Sequence, residues 1–181
     1  MRKITLYIAA SLDGYIARTD GSIDWLENES YIIKGEDFGY KKFMRTVDTT
    51  LMGNNTYKVV MGLNMPFPYS DKTNFVFSRS VAAKKDNNAV QFIQKHITSF
   101  VNDLKQQEGK TIWLIGGGQI NTLLWNAGLI DEVIITYIPV VLGEGIPLFA
   151  KVPEEKKVNL VESKIYANGF VQVKYNVTNI H

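Results

Sequence analysis

The stretch Thr111-Ile-Trp-Leu-Ile-Gly-Gly-Gly-Gln-Ile-Asn121 limits what this chain can fold into more than any other. An apolar run ends in Gly116-Gly117-Gly118, and a helical pattern follows over Ile120 to Ala127. It reads as a buried strand that turns directly into a helix, the signature of an α/β architecture. Glycines at such a corner let another group approach the backbone. The helix beyond presents free N–H groups and the positive end of its dipole, which suits a phosphate. A plainer reading stays open: a tight turn that only lets the helix pack on its strand. The general dinucleotide fingerprint G-x-G-x-x-G near the start of a βαβ unit does not fit, because the final glycine is absent and the stretch lies late in the chain.

Other segments fill in the architecture. Lys3 to Ala10 reads as a first strand buried on both faces, and Ser11 to Asp24 as a polar loop. Glu36 to Val47 has helical spacing, with Phe38, Phe43, Met44 and Val47 apolar. Thr49 to Met52 is a short strand ending at Gly53, with a helix over Asn54 to Met61 and a proline-bearing loop over Met65 to Tyr69. Strands over Asn74–Phe77 and Val90–Ile93 follow, then a helix over Ile97–Gln107 with Ser99 as a candidate N-cap. From Asp131 onward the pattern is strands alone: Glu132–Ile138, Val158–Tyr166 and Phe170–Val177, the last two joined by Asn168-Gly169, a hairpin signal. The expected fold is α/β: a mixed, mostly parallel sheet flanked by helices, with an antiparallel C-terminal hairpin, in a single domain over residues 1–181.

Composition narrows the chemistry. The 181 residues contain no cysteine and only two histidines, His96 and His181. That excludes a disulfide scaffold, a thiolate nucleophile and a cysteine zinc site, and it leaves little for a His triad or a metal cage. Net charge is +2, and pairs such as Lys84-Lys85 and Lys156-Lys157 read as solvated surface rather than a nucleic-acid footprint. No stretch suits a membrane span, and strand pattern begins at Lys3, so we expect a cytoplasmic protein without metal, nucleic-acid or membrane partners. Hydride transfer fits so sparse an inventory, because there the cofactor carries the chemistry.

Four segments, in order, carry a family resemblance. They are Ala10-Ser-Leu-Asp-Gly-Tyr-Ile-Ala17, Leu51-Met-Gly-Asn-Asn-Thr-Tyr57, Ile115 to Ile120, and Asp131-Glu132 through Thr136 with Pro139-Val-Val-Leu-Gly-Glu-Gly-Ile-Pro-Leu-Phe149. Together they resemble the dihydrofolate-reductase-like superfamily, and within it the reductase (RibD C-terminal) domain of the bifunctional riboflavin-biosynthesis deaminase/reductase. The resemblance implies an NADPH-dependent reductase, with NADH an alternative. It would act on a pyrimidine- or pteridine-like substrate, most like 5-amino-6-(5-phosphoribosylamino)uracil. The alternatives are dihydrofolate reduction and a non-catalytic nucleotide-binding dimer. A homodimer is implied, through the C-terminal strands.

By the same resemblance, Gly53, Asn54, Asn55 and Thr56 hold the cofactor's pyrophosphate. Gly116 and Gly117 share a cis peptide, and Gly118, Gln119 and Ile120 form a second phosphate-binding helix start. Ser78 and Arg79 lie near the adenosine ribose. Ala9 and Ile16 flank the nicotinamide, and Thr136 offers the substrate a hydroxyl. Two departures concern the 2′-phosphate. Asn54 replaces the family's arginine and Gln119 a position often basic, leaving Arg79 as the obvious cation. Asp37 matches the placement of a pterin-anchoring acid; it also suits the first turn of a helix. Asp13 either faces substrate or makes the turn before Gly14. Trp25 is expected to pack the loop onto the sheet, and Trp113 and Trp125 to pack in the core or a dimer interface. Lys41, Lys42, Arg45 and Lys151 are candidates to hold a substrate phosphate. The zinc deaminase motifs H-x-E and P-C-x-x-C have no counterpart here.

Overall fold

A computed structural model describes residues 1–63, 65–79 and 89–178. The Lys84-Lys85 pair and His181 lie outside the described residues. Eight strands form one sheet in the order β5-β4-β3-β6-β1-β7-β10-β9. In chain order they are β1 (Ile4–Ser11), β3 (Val47–Gly53), β4 (Thr73–Phe77), β5 (Val90–Ile93), β6 (Thr111–Gly116), β7 (Glu132–Ile138), β9 (Val158–Ile165) and β10 (Val171–Val177). All pairings are parallel except those of β10, which runs antiparallel to β7 and β9. A separate ladder joins β2 (Tyr15–Ala17) to β8 (Ile146–Pro147). The expected mixed sheet with an antiparallel hairpin is therefore the fold observed.

Alternation along the strands sorts two faces. Leu51, Phe75, Phe77, Leu114 and Ile135 point to the core under α3 (Ile97–Gln106) and α4 (Gly118–Asn126). Their neighbours Met52, Val76 and Ile115 point the other way, against Tyr57 of α2 (Asn54–Met61) and the Phe67–Tyr69 segment. This period of two is the pleat of a sheet buried on both faces.

Three local expectations change. The helix read over Glu36 to Val47 is only α1 (Tyr40–Met44), because Phe38 (φ 54°) and Gly39 (φ 82°) adopt left-handed backbone and Val47 starts β3. The loop read over Ser11 to Asp24 contains β2, which is too short to announce itself by alternation. Ser99 lies inside α3, whose N-cap is the exposed, left-handed His96.

One residue, Asp131, ties the starts of β1 and β7 to the end of β10 and to α3. The Asp131 carboxylate accepts Ile4 N–H at 2.8 Å and takes the Lys105 ammonium at 2.7 and 2.9 Å. Its own N–H donates to Ile4 O, and its carbonyl accepts Val177 N–H. Lys105 is buried and gives its remaining bond to Leu129 O at 3.0 Å. Asp131→Ala strands a buried ammonium and an unpaired strand N–H. We expect a loss of about 3–5 kcal/mol in urea denaturation; a loss no larger than that of a surface substitution would remove Asp131 from this role.

Candidate active site

The carboxyl ends of β1, β3, β6 and β7 open into a cleft of about 1340 Å³. That is where open α/β sheets place ligands. The cleft has two chemically distinct halves.

In one half, two helices start without side-chain caps. Gly53 precedes α2 and Gly117 precedes α4, both extended, and no side chain caps either helix start. Their first N–H groups point toward one space, lined also by Asn54, Asn55, Thr56, Gly118, Gln119 and Ile120. A Cβ on Gly117 would sit 3.4 Å from Thr56 Oγ1 and 3.7 Å from Ile16 Cδ1, so the missing side chain is what leaves the floor open. The Gly116–Gly117 peptide is cis, and Gly116 itself is behind the lining. Ser78 and Arg79 line the far end, where Arg79 Nη2 donates to Gln119 Oε1 at 2.6 Å. Ala9 and Ile16 line the middle. Every residue expected to hold a nucleotide, Gly116 excepted, thus borders one cleft.

The other half is aromatic. Trp113 is ringed edge-on by Tyr40, Tyr69 and Tyr7, with centroids at 6.0, 5.2 and 6.5 Å. Its indole N–H is already spent on Tyr7 O at 3.0 Å. Thr136 borders this half. Its Oγ1 accepts Gln172 Nε2 at 2.9 Å, and its own proton has no acceptor among the described residues, so the hydroxyl is available as a donor. Gln172 Nε2 and Tyr7 Oη both also donate to Phe38 O, each at 3.1 Å, pinning the left-handed Phe38 over the sheet. Trp113, expected to pack in the core or a dimer interface, lines the cleft instead, and Tyr7, Tyr69 and Gln172 are not singled out by the sequence. The signal for two of them was there: Tyr7 and Trp113 sit two residues before Ala9 and Ile115, on the same strand faces.

Asp37 borders the aromatic half but does not stand in a helical turn. It precedes α1, and its two oxygens accept Lys41 N–H at 2.9 Å and Gly39 N–H at 3.1 Å. The Lys41 bond is the main reason its carboxyl stays below the usual range. Asp13 is not brought to the cleft. Its exposed carboxylate takes Ser11 Oγ at 2.6 Å and the N–H groups of Gly143 and Leu142 at 2.7 and 3.1 Å. Those bonds, Ser11 first, hold its pKa down. The turn reading of Asp13 is the one its bonds describe: it ties two loops. Trp25 packs with Ile138, Tyr166 and Phe170, and Trp125 packs at a tilt against Phe149. None of Lys41, Lys42, Arg45 and Lys151 lines the cleft; Lys42 borders a smaller groove of about 410 Å³ behind Phe38. No cluster of metal-ligating side chains occurs among the described residues.

This geometry meets a family pattern. The profile of the RibD C-terminal domain matches residues 2–172. The chain belongs to the RibD C-terminal domain family. It is 46% identical over 175 residues to YwjB, an uncharacterized protein of Bacillus subtilis (strain 168), covering 96% of this chain and 97% of that one. YyaP of the same organism is 35% identical over 187 residues, with 97% and 95% covered. Among solved structures, a putative riboflavin biosynthesis protein of Shewanella sp. PV-4 superposes with a TM-score of 0.86 at 30% identity, covering 97% of this chain and 99% of that one. The bifunctional deaminase/reductase of Thermotoga maritima shares the fold, with a TM-score of 0.70 at 16% identity; the match spans 98% of this chain and 57% of that one. The RibD C-terminal fold is a dihydrofolate-reductase-like one, and this chain is a member of that reductase family.

Burial pushes the Tyr7 phenol up to about 12 and holds Tyr40, Tyr69 and Tyr137 above their usual value too. In the unfolded chain tyrosines ionise near pH 10, so above that the unfolded state has shed protons the folded state keeps. Stability therefore falls as pH rises from about 10 toward 12. We expect that fall in urea titrations, and a shallower one in Tyr7→Phe. An unchanged slope would show that Tyr7 contributes nothing to it.

Proposed function

We propose that this chain is a nicotinamide-dependent reductase, with NADPH as first cofactor and NADH as second, acting on a pyrimidine- or pteridine-like ring. The observation that carries the reading is the pair of uncapped helix starts, Gly53–Thr56 and Gly117–Ile120, facing one cleft whose other half is an aromatic box. Two helix starts that together suit one pyrophosphate, beside a flat, apolar box, fit a dinucleotide next to a planar substrate. The α2 and α4 N–H groups hold the pyrophosphate, Ser78 and Arg79 the adenosine end, and Ala9 and Ile16 the nicotinamide. When bound, the nicotinamide supplies a hydride to an electrophilic carbon of the substrate. The protein's part is to seat the ring against Trp113, exclude water and orient it. Thr136 donates its proton to a ring heteroatom, and Gln172 fixes that direction by occupying the oxygen's lone pair.

Among the family's activities, reduction of 5-amino-6-(5-phosphoribosylamino)uracil is the nearest in kind. Dihydropterin reduction is the second reading, favoured by Asp37 on the lining of the aromatic half. The reductase domain spans residues 1–181, and we place it in the cytoplasm; no helix among the described residues is long and apolar enough to cross a membrane. We also assign it a homodimer through the hairpin. Leu160 and Ile165 of β9 and Val171 of β10 remain exposed there, on the edge beyond the helices.

The test is titration with NADPH and NADH, read by tryptophan fluorescence. We expect saturable NADPH binding at about micromolar concentrations. Arg79→Ala should weaken NADPH about tenfold and NADH much less, because only NADPH carries the 2′-phosphate. Asn54→Arg should tighten NADPH more than NADH. Equal effects on both cofactors would reject the 2′-phosphate assignment. Binding of neither by folded protein would reject the reductase, and NADPH binding with no turnover of any ring substrate would move the chain to the non-catalytic reading.

A further inference from the structure

Resting on the reductase reading, we infer that the groove behind Phe38 holds the anionic arm of the substrate, a phosphate ester carried on the ring's sugar, and that Lys3 and Lys42 grip it. The cleft and the groove are two ends of one sheet face. Between β1 and β7 the register pairs Ala9 with Thr136 and Tyr7 with Ile134. Between β7 and β10 it pairs Thr136 with Gln172 and Ile134 with Lys174. Ala9 and Thr136 thus floor the cleft, while Ile134, Gln172 and Lys174 floor the groove one pleat repeat further along. That step is about 7 Å. Tyr7 and Phe38 line both spaces. From a ring seated against Trp113 and Thr136, a five-carbon sugar bridges a gap of that size past Phe38.

The charges of the two spaces send the arm the same way. Of the cleft's lining residues Asp37 and Arg79 are charged, and Arg79 is bonded to Gln119 at the adenosine end. Beside the ring the cleft therefore presents a carboxylate, which repels a phosphate. The groove is lined by four lysines and two glutamates, an excess of positive charge. The lysines come from separate places: Lys3 ahead of β1, Lys42 on α1, Lys164 on β9 and Lys174 on β10. Glu132 is occupied by Lys174 at 2.8 Å and by Thr5 Oγ1 at 3.3 Å. Lys164 is shared between Glu36 at 3.6 Å and the Tyr166 ring, 4.3 Å from its centroid. Lys3 and Lys42 have no ion-pair partner among the described residues. Two uncommitted ammonium groups on one groove suit a phosphate, which lysine holds as a point charge on a flexible stem. Phe43 stacks on Tyr7 at 4.6 Å and so fixes its neighbour Lys42 at the groove. Lys41, Arg45 and Lys151 line neither space, so Lys42 is the one sequence candidate that the geometry retains.

The experiment is isothermal titration calorimetry with 5-amino-6-(ribosylamino)uracil and its 5′-phosphate, on wild-type protein with NADP⁺ present. We expect the phosphate ester to bind about tenfold tighter than the riboside. Lys3→Gln combined with Lys42→Gln should bring the two within about twofold of each other and leave riboside affinity unchanged. Both lysines are exposed, and each single variant should lose about threefold of the preference, so each reports on the site by itself. Lys41→Gln, whose side chain lies outside both spaces, should keep the full preference. Equal binding of riboside and ester by wild-type protein overturns the inference, and so does a preference that survives the lysine substitutions. Failure of both compounds to bind overturns it as well. NADPH oxidation with the same two compounds separates the two levels. Oxidation without any ester preference keeps the reductase reading and removes the groove. Lysine-dependent ester preference without oxidation does the reverse.

Discussion

The Asp131 carboxylate, with the buried Lys105 ammonium against it, is the fixed point from which the cleft takes its geometry. The carboxylate binds the start of β1 through Ile4 N–H and α3 through Lys105, and the Asp131 backbone carbonyl accepts Val177 N–H at the end of β10. Because Asp131 precedes β7 directly, these bonds set where β7 begins against β1. The register that follows pairs Thr5 with Glu132 and Ala9 with Thr136. A parallel sheet has no tight turn to fix its register, so such an anchor does what a hairpin turn does elsewhere. A slip of one residue would rotate Thr136 to the opposite face and remove the only donor hydroxyl that Gln172 orients.

Phe38 performs a similar service for the aromatic half. Its carbonyl is gripped by Tyr7 and Gln172, so the segment before α1 is fastened to β1 and β10 at once. Asp37 on one side and Tyr40 on the other are carried into place by that attachment. The same two donors also keep Phe43 stacked on Tyr7, at 4.6 Å between centroids. The wall of the substrate half is thus held by polar bonds at its back and presents apolar rings at its front.

What the sequence made legible follows from periodicity and punctuation. Strands β6 and β7 and the α2 and α4 starts are visible as apolar runs or runs stopped by glycine, and β10 by its period-two alternation after Asn168-Gly169. The short α1 was not, because Phe38 has no turn signature and its left-handed backbone comes from the long-range Tyr7 and Gln172 bonds. The β2–β8 ladder was hidden for the same reason, since two short segments more than a hundred residues apart form it. Asp13 and Asp37 were ambiguous as single letters. Only the positions of Gly143, Lys41 and Gly39 N–H groups show how each carboxylate is occupied. The Trp113 box escaped because aromatic residues on a central strand read first as core.

The glycines sort into two kinds, and the distinction bears on what the cleft recognises. A Cβ on Gly118 would stand 2.3 Å from Pro147 O, and one on Gly145 would stand 2.3 Å from Ala17 O. These two let the Gly145–Ala150 segment lie flat on α4 and on β2. Ala150 N–H then bonds Gly118 O, Asn121 Nδ2 bonds Leu148 O, and Leu148 N–H bonds Gly14 O. They are packing glycines, although they occur in the two motifs that most suggest a ligand. Gly117 is different, because its missing side chain faces Thr56 and Ile16 across the open floor. The glycine-rich signature therefore encodes two demands at one corner. One is a close approach of protein to protein, which fixes the β2–β8 flap. The other is a single vacancy where a ligand can approach the start of α4. A corner built for packing alone would need the first and not the second.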